Sequence, residues 1–162
     1  MEEIRPLASE DEARRCAEMM CSTEPWITIG RSFEENLALI QGPNREVFVV
    51  DGAHGILGFV VINMSGSLIG YIQTICVDAE ARRRGVGTLL IEFAERRIFA
   101  DTTNVFLCVS SFNTRARALY ERLGYKLVGE MDNYVIEGAS EFLMRKTIGP
   151  ILKRATSAPR GA

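Results

Sequence analysis

Apolar residues along the chain recur with two periods, and the switches between them mark out its elements. Ile4-Arg5-Pro6-Leu7 predicts a short edge strand, where proline is tolerated. Ser9-x-x-Glu12 predicts a capping box that opens a helix through about Met20. Pro25 and Gly30 break the period over residues 21–31, so that segment reads as a loop or short turn between helices. Ser32-x-x-Glu35 predicts a second box. It leads a helix from Phe33 to Gln41, with Phe33, Leu37 and Ile40 on one face and Gly42-Pro43-Asn44 as its stop. Three apolar runs follow, 46–50, 56–64 and 68–77, separated by turn signatures at 51–55 and 65–67; they predict an antiparallel meander. Leu89, Leu90, Phe93 and Ala94 then return at helical spacing within a helix of residues 85–99, ahead of a strand at 104–110. That strand–helix–strand crossover places 104–110 parallel to 68–77. Asn113 caps a further helix, 114–123, which Gly124 ends in the left-handed conformation. Tyr125–Met131 and Glu141–Lys146 close the pattern as an antiparallel pair, joined by an irregular loop around Asn133-Tyr134.

This order is that of an α/β (α+β) chain with one domain over residues 1–148 and, after Gly149-Pro150, a flexible tail over 149–162. No internal repeat or second domain interrupts it. With 47% hydrophobic and 25% charged residues the composition is that of an ordinary globular protein. Nineteen basic against 21 acidic residues give a net charge of −2, so no field favours nucleic acid or an anionic membrane. No apolar run is long enough to span a bilayer, and the acidic start Met1-Glu2-Glu3 is unlike a signal peptide. Cys16, Cys21, Cys76 and Cys108 are scattered in apolar contexts and read as buried free thiols of a cytoplasmic protein. The single histidine, His54, lies in a turn signature, which argues against a zinc site. Monomer and homodimer both remain open.

The candidate chemistry lies between residues 68 and 88. Arg82-Arg83-Arg84 runs into Gly85-Val86-Gly87 at the start of a helix, the end where the macrodipole disfavours cations. Either the arginines are a solvated basic turn, or an anion sits at that helix end, held by free N–H groups and flanked by guanidinium heads. The glycines favour the anion. Each costs about 1 kcal/mol against alanine in a first helical turn, and each leaves the backbone open to close approach by a phosphate. No Lys-Ser/Thr follows them, which excludes a P-loop, and no acid about 20 residues on completes a dinucleotide fingerprint.

Arg82-x-x-Gly85-x-Gly87 resembles the Arg/Gln-x-x-Gly-x-Gly/Ala pyrophosphate loop of the GCN5-related N-acetyltransferase (GNAT) superfamily. Asn113-x-x-Ala116-x-x-Leu119-Tyr120-x-x-x-Gly124-Tyr125 resembles the second signature of the same superfamily. The resemblance implies a mixed central sheet of about seven strands with flanking helices, and a parallel pair that splays at a cofactor cleft. It implies an N-acetyltransferase that passes the acetyl group of acetyl-CoA to a primary amine by direct attack in a ternary complex. The pantetheine arm is then expected along the backbone of Ile75, Cys76 and Val77. The diphosphate is expected on the amides of Arg83, Arg84, Gly85, Val86, Gly87 and Thr88, with Arg82 in the signature side-chain position. Asn113 is expected to contact the cofactor arm, and Tyr120 to aim its hydroxyl at the sulfur as a catalytic proton donor. Arg117 or Arg122 either meets the 3′-phosphate or is simply solvated.

Two positions depart from the superfamily pattern. Gln73 and Cys108 stand where relatives carry a carboxylate to deprotonate the amine, and neither is a usable oxygen base, although Gln73 could orient a water. Glu24, Glu130, Asp132, Glu137 and Glu141 are the remaining candidates, each read by default as surface charge, so the base is unassigned. The acceptor site is expected from the Glu24–Arg31 and Asn133-Tyr134-Val135 loops, with Trp26, Gln73 and Tyr134 as substrate-binding candidates. Trp26 either lines that pocket or plugs the core between the first two helices. Asp132-Asn133-Tyr134 resembles the ribosomal-protein alanine acetyltransferase branch, without that branch's acid at Cys108. A small amine, an antibiotic and a protein N-terminus are all open as acceptors. The alternatives to an enzyme are a non-catalytic acyl-CoA sensor or partner domain, and a different nucleotide-binding protein.

Overall fold

Helix caps fix the first elements where the sequence placed them. In the computed structural model, which describes residues 3–152, Ser32 and Glu35 form a full capping box at the start of α3 (Phe33–Gln41). At α1 (Glu10–Cys21) only half a box forms, with the Glu12 N–H donating to Ser9 Oγ at 3.2 Å. The Glu12 carboxylate is drawn off instead by Arg5, at 2.7 and 3.1 Å, and by the Ala8 N–H at 2.7 Å. Arg5 also reaches Asp51 at 2.6 Å, so one guanidinium ties the first strand, β1 (Glu3–Pro6), to α1 and to β2 (Arg45–Gly52). A single helical turn, α2 (Trp26–Ile29), occupies part of the segment read as a loop or turn.

The sheet continues through β3 (Gly55–Asn63), β4 (Tyr71–Val77), β5 (Asn104–Ser110), β6 (Lys126–Asp132) and β7 (Ser140–Thr147). Its order is β1-β2-β3-β4-β5-β7-β6, seven strands as expected, with β4–β5 parallel and the other neighbours antiparallel. Helix α4 (Val86–Phe99) crosses over between β4 and β5, and α5 (Thr114–Arg122) follows β5. One face of the sheet packs on α4 through Val86, Leu90, Ile91, Ala94 and Ile98, at helical spacing. The other packs on α1 and α3 through Ala13, Cys16, Ala17, Met20 and Ile40. Burial of these two layers supplies the main stabilising term.

Two irregularities shape the middle of the sheet. Val61 pairs with Thr74 but Ile62 pairs with Ile72, so Gln73 is an extra residue on β4. This bulge inverts the alternation: Ile72 packs on the α4 side, and so do Ile75 and Val77, while Cys76 packs under α1. The β4–β5 ladder also stops early. It pairs only Tyr71 with Phe106 and Ile72 with Leu107, whereas β5 and β7 pair along their length. Gly70 pins the closed end of this seam, at a φ of +86°, where a Cβ would stand 2.5 Å from the Asn104 carbonyl oxygen and 2.6 Å from Ile98 Cγ2.

Three expectations need correction. The third apolar run is strand only from Tyr71, because left-handed Gly70 turns the chain; Leu68 and Ile69 lie in the preceding loop, half-exposed. Helix α4 begins at Val86, with Gly85 outside it as the N-cap. Cys21 is exposed, on the polar face of α1, and Cys108 is half-buried; only Cys16 and Cys76 are buried, and all four are free. A short 3-10 turn, Ala79–Ala81, follows β4. Of the tail, residues 153–162 lie outside the described residues, as do Met1 and Glu2. Among the described residues no helix is long and apolar enough to cross a membrane.

Candidate active site

Where β4 and β5 part, the sheet opens into a cleft of about 1260 Å³. That exceeds the roughly 300–1,000 Å³ of a site for one small ligand, and its two ends differ in construction.

At one end the wall is backbone. Residues 73–77 of β4 face β5 without ladder partners, leaving N–H and C=O groups along that edge for a strand-like ligand. Val77 leads through the 3-10 turn to Arg83 and Gly85, both left-handed, with φ of 65° and 87°. Left-handed residues next to a helix start turn successive N–H groups inward, a geometry that holds anions. No side chain caps Gly85, so the first amides of α4, at Val86, Gly87 and Thr88, lack partners in the helix. A Cβ on Gly85 would meet nothing within 4 Å, and one on Gly87 only Val77 Cγ2 at 3.7 Å. Neither glycine is therefore explained by packing; both leave room in front of an uncapped, partially positive helix end.

The side chains expected here divide. Ile75, Val77, Arg82, Arg83, Thr88, Asn113 and Tyr120 line the cleft. Cys76 and Val86 turn away into the two cores, Cys76 with its sulfur 3.4 Å from Thr23 Oγ1, so only their backbone can serve a cofactor. Arg84 is exposed and outside the cleft lining. Arg82 reaches the carbonyls of Val77 and Glu24, each at 3.4 Å, and so braces the segment that carries Trp26 against the end of β4. Asn113 Oδ1 accepts from the Ala116 N–H at 3.3 Å, capping α5. Arg117 is committed to Glu121 at 3.1 Å and to the Phe142 ring at 4.2 Å, while Arg122 lies at the cleft. Tyr120 stands edge-on to Tyr125 at 5.8 Å, and its hydroxyl makes no hydrogen bond among the described residues. Burial pushes that phenol up to about 12, so it stays protonated at neutral pH.

At the other end the wall is side chain. Trp26 lines the cleft and also packs on the α1–α3 core, so both readings of it hold. Gln73, at the bulge, and Tyr134, 64% exposed, line the same end. The sequence had not pointed to Tyr71, which faces the Cys108 thiol; burial pushes both groups up. Among the candidate bases, Glu130, Asp132 and Glu137 are exposed and outside the cleft. Glu24, at the rim, accepts from the Thr28 N–H at 3.2 Å. Glu141 departs from the reading as surface charge: it is 6% exposed, lines the cleft and accepts a short hydrogen bond from the Ser110 hydroxyl. Burial raises its carboxyl above the ordinary range, against the opposing pull of Ser110 and Arg31.

The arrangement fits an extended ligand with amides along its length and an anionic group such as a diphosphate at one end, with room for a second molecule in the same cleft. Comparison with known proteins agrees. The model of the Acetyltransferase (GNAT) family matches residues 10–125. An N-alpha-acetyltransferase of Saccharolobus solfataricus is 33% identical over 95 residues, 56% of this chain and 57% of that protein, so the match spans little more than half of that relative. The N-alpha-acetyltransferase RimI of Mycobacterium tuberculosis is 29% identical over 146 residues, 85% of this chain and 88% of that protein. An aminoglycoside 6′-N-acetyltransferase solved with coenzyme A superposes with a TM-score of 0.73 at 18% identity, over 93% of this chain and 99% of that one.

Proposed function

The chain belongs to the acetyltransferase (GNAT) family, and from that premise we propose that it transfers the acetyl group of acetyl-CoA to a primary amine by direct attack within a ternary complex. The observation that carries this reading is the open seam: β4 leaves β5 after Ile72 directly beside the uncapped start of α4. Acetyl-CoA supplies, when bound, an acetyl group activated as a thioester. The free edge of Gln73–Val77 would hold its amide-bearing arm, and the α4 amides with Arg82 and Arg83 its diphosphate, with Arg122 beside them for a further phosphate. Tyr120 keeps its proton until a departing sulfur needs one, which fits a phenol raised by burial. The amine enters from the side of Trp26, Gln73 and Tyr134. One similar protein is named an N-alpha-acetyltransferase and one fold neighbour an aminoglycoside 6′-N-acetyltransferase; a protein N-terminus and a small amine both suit this cleft as acceptor. The chain works as a single domain in the cytoplasm on this reading. A sensor without turnover, which Gln73 and Cys108 suggest, accounts less well for a buried carboxylate in the same cleft.

The test is acetyl-CoA turnover with a panel of primary amines and peptides bearing free N-termini, following free CoA by chromatography because cysteines react with thiol dyes. Transfer to at least one acceptor is expected. Tyr120→Phe should lower kcat by about 100-fold or more and leave CoA affinity within about twofold, since one hydroxyl is lost. CoA binding without transfer to any acceptor would instead establish the sensor.

A further inference from the structure

We infer that Glu141 is the group that receives the acceptor amine and takes its proton, an assignment that rests on the proposed acetyl transfer. The placement is specific. Glu141 sits on β7 opposite Ser110 of β5, and β5 is the strand whose parting from β4 makes the cleft. One carboxylate oxygen, Oε1, accepts from the Ser110 hydroxyl; Oε2 accepts no hydrogen bond among the described residues. A carboxylate that is 6% exposed, with its second oxygen reachable from the cleft it lines, offers an acceptor to a ligand that donates. An ammonium group does so.

The neighbours agree with a base. Tyr71 of β4 and Cys108 of β5 lie close enough to feel its charge, and burial keeps both protonated, so neither competes for the amine's proton. Arg31, between α2 and α3, is the cation that acts on Glu141, and Met131, opposite it on β6, carries no charge. Burial raises the carboxyl toward the working pH, where a general base is best matched, while the Ser110 hydrogen bond and the charge of Arg31 pull the other way. The step balances. The ammonium gives one proton to Glu141, its nitrogen lone pair forms the C–N bond, and the thioester C–S bond breaks with its electron pair on sulfur. Sulfur takes up a proton as the amide nitrogen loses its second, so each turnover releases one proton, by way of Glu141.

Glu141→Gln keeps the shape and the acceptor for Ser110 while abolishing titration. With the fastest acceptor of the panel it should lower kcat/KM by about 100-fold or more and leave calorimetric CoA affinity within twofold. Ser110→Ala removes a bond that favours the charged form. It should therefore raise both the Glu141 pKa, read by ¹³C NMR of the side-chain carboxyl, and the acidic limb of the kcat/KM profile, by the same amount. Glu141→Gln turnover within threefold of wild type overturns the assignment, as does a limb that stays put while the NMR pKa moves, or an NMR pKa that does not move. Loss of CoA binding in Glu141→Gln overturns it too, in favour of a structural role. Wild-type protein that acetylates nothing defeats the parent reading and this one with it; an unaffected Glu141→Gln beside an active wild type defeats this one alone.

Discussion

At the end of the cleft proposed for the diphosphate the wall is main chain, drawn from residues 73–88, and at the end proposed for the amine it is side chain, drawn from places as distant as Trp26 and Glu141. Backbone walls are specified by what is missing: a strand partner beyond Ile72, a cap at Gly85, a Cβ at Gly85 and Gly87. Side-chain walls are specified by what is present and by the fold that gathers it. The two ends should therefore fail differently. Added bulk should ruin the first and truncation should ruin the second, and neither injury should cross the seam.

The largest effect is expected from Gly85→Val combined with Gly87→Val. A β-branched residue at a φ of +87° costs about 1–3 kcal/mol where it must stay left-handed. The new methyl groups also fill the space proposed for phosphate. Calorimetric CoA affinity should fall by at least about 100-fold, or about 2.7 kcal/mol, while unfolding stays cooperative because almost nothing stands near either added Cβ. CoA bound as tightly as before would sink the main-chain cradle.

Next comes the closed end of the seam. Gly70→Ala places a methyl 2.5 Å from the Asn104 carbonyl oxygen and forces the closed part of the seam apart. About 2 kcal/mol of stability should be lost, lowering Tm by about 4–8 °C. Gly66→Ala is the control: its φ of +84° is as unfavourable, but its surroundings are open, so only backbone strain of about 1 kcal/mol applies. Equal losses in the two variants would mean that the contact with Asn104 is not what closes the seam.

The same contrast explains what could be read from the residues alone. The Ser32 box and the glycine-marked end of the cleft are local in sequence, each leaving a signature within one turn or one loop, and the parallel placement of β5 follows from a single crossover. The early end of the β4–β5 ladder is not local. It depends on Gly70 meeting Asn104 across the crossover, and on the bulge at Gln73, which no residue type announces. Glu141 follows the same logic. Ser140-Glu141-Phe142 reads alike whether its strand faces water or a cleft, and only the pairing with Ser110 makes the carboxylate interior. Tyr71 carries no signal of its own in a run that begins at Leu68; only the turn at Gly70 makes it the first residue of β4, paired with Phe106 where the seam is closed. Cys21 reads as buried because cysteine usually sits inside, whereas the helical phase of α1 turns it outward.

The smallest effect, and the sharpest test of the division, belongs to Tyr134→Ala. Tyr134 is 64% exposed and lies where the main cleft meets a shallower depression of about 480 Å³, bounded by Ile29, Gly30, Arg31 and Glu35. Its removal costs the fold little, within about 0.5 kcal/mol for an exposed position of this kind. On the acceptor the ring offers apolar area and a hydroxyl, and its loss should raise KM by about fivefold, or about 1 kcal/mol, with kcat within twofold. CoA affinity should not change, because no diphosphate-end residue touches this loop in the described hydrogen bonds. Combined with the valine pair, the free-energy losses in kcat/KM should add within about 0.5 kcal/mol, as they do for sites without shared partners. A coupling well above that, or a fall in CoA affinity from Tyr134→Ala alone, would mean that the loop and the cradle act as one unit.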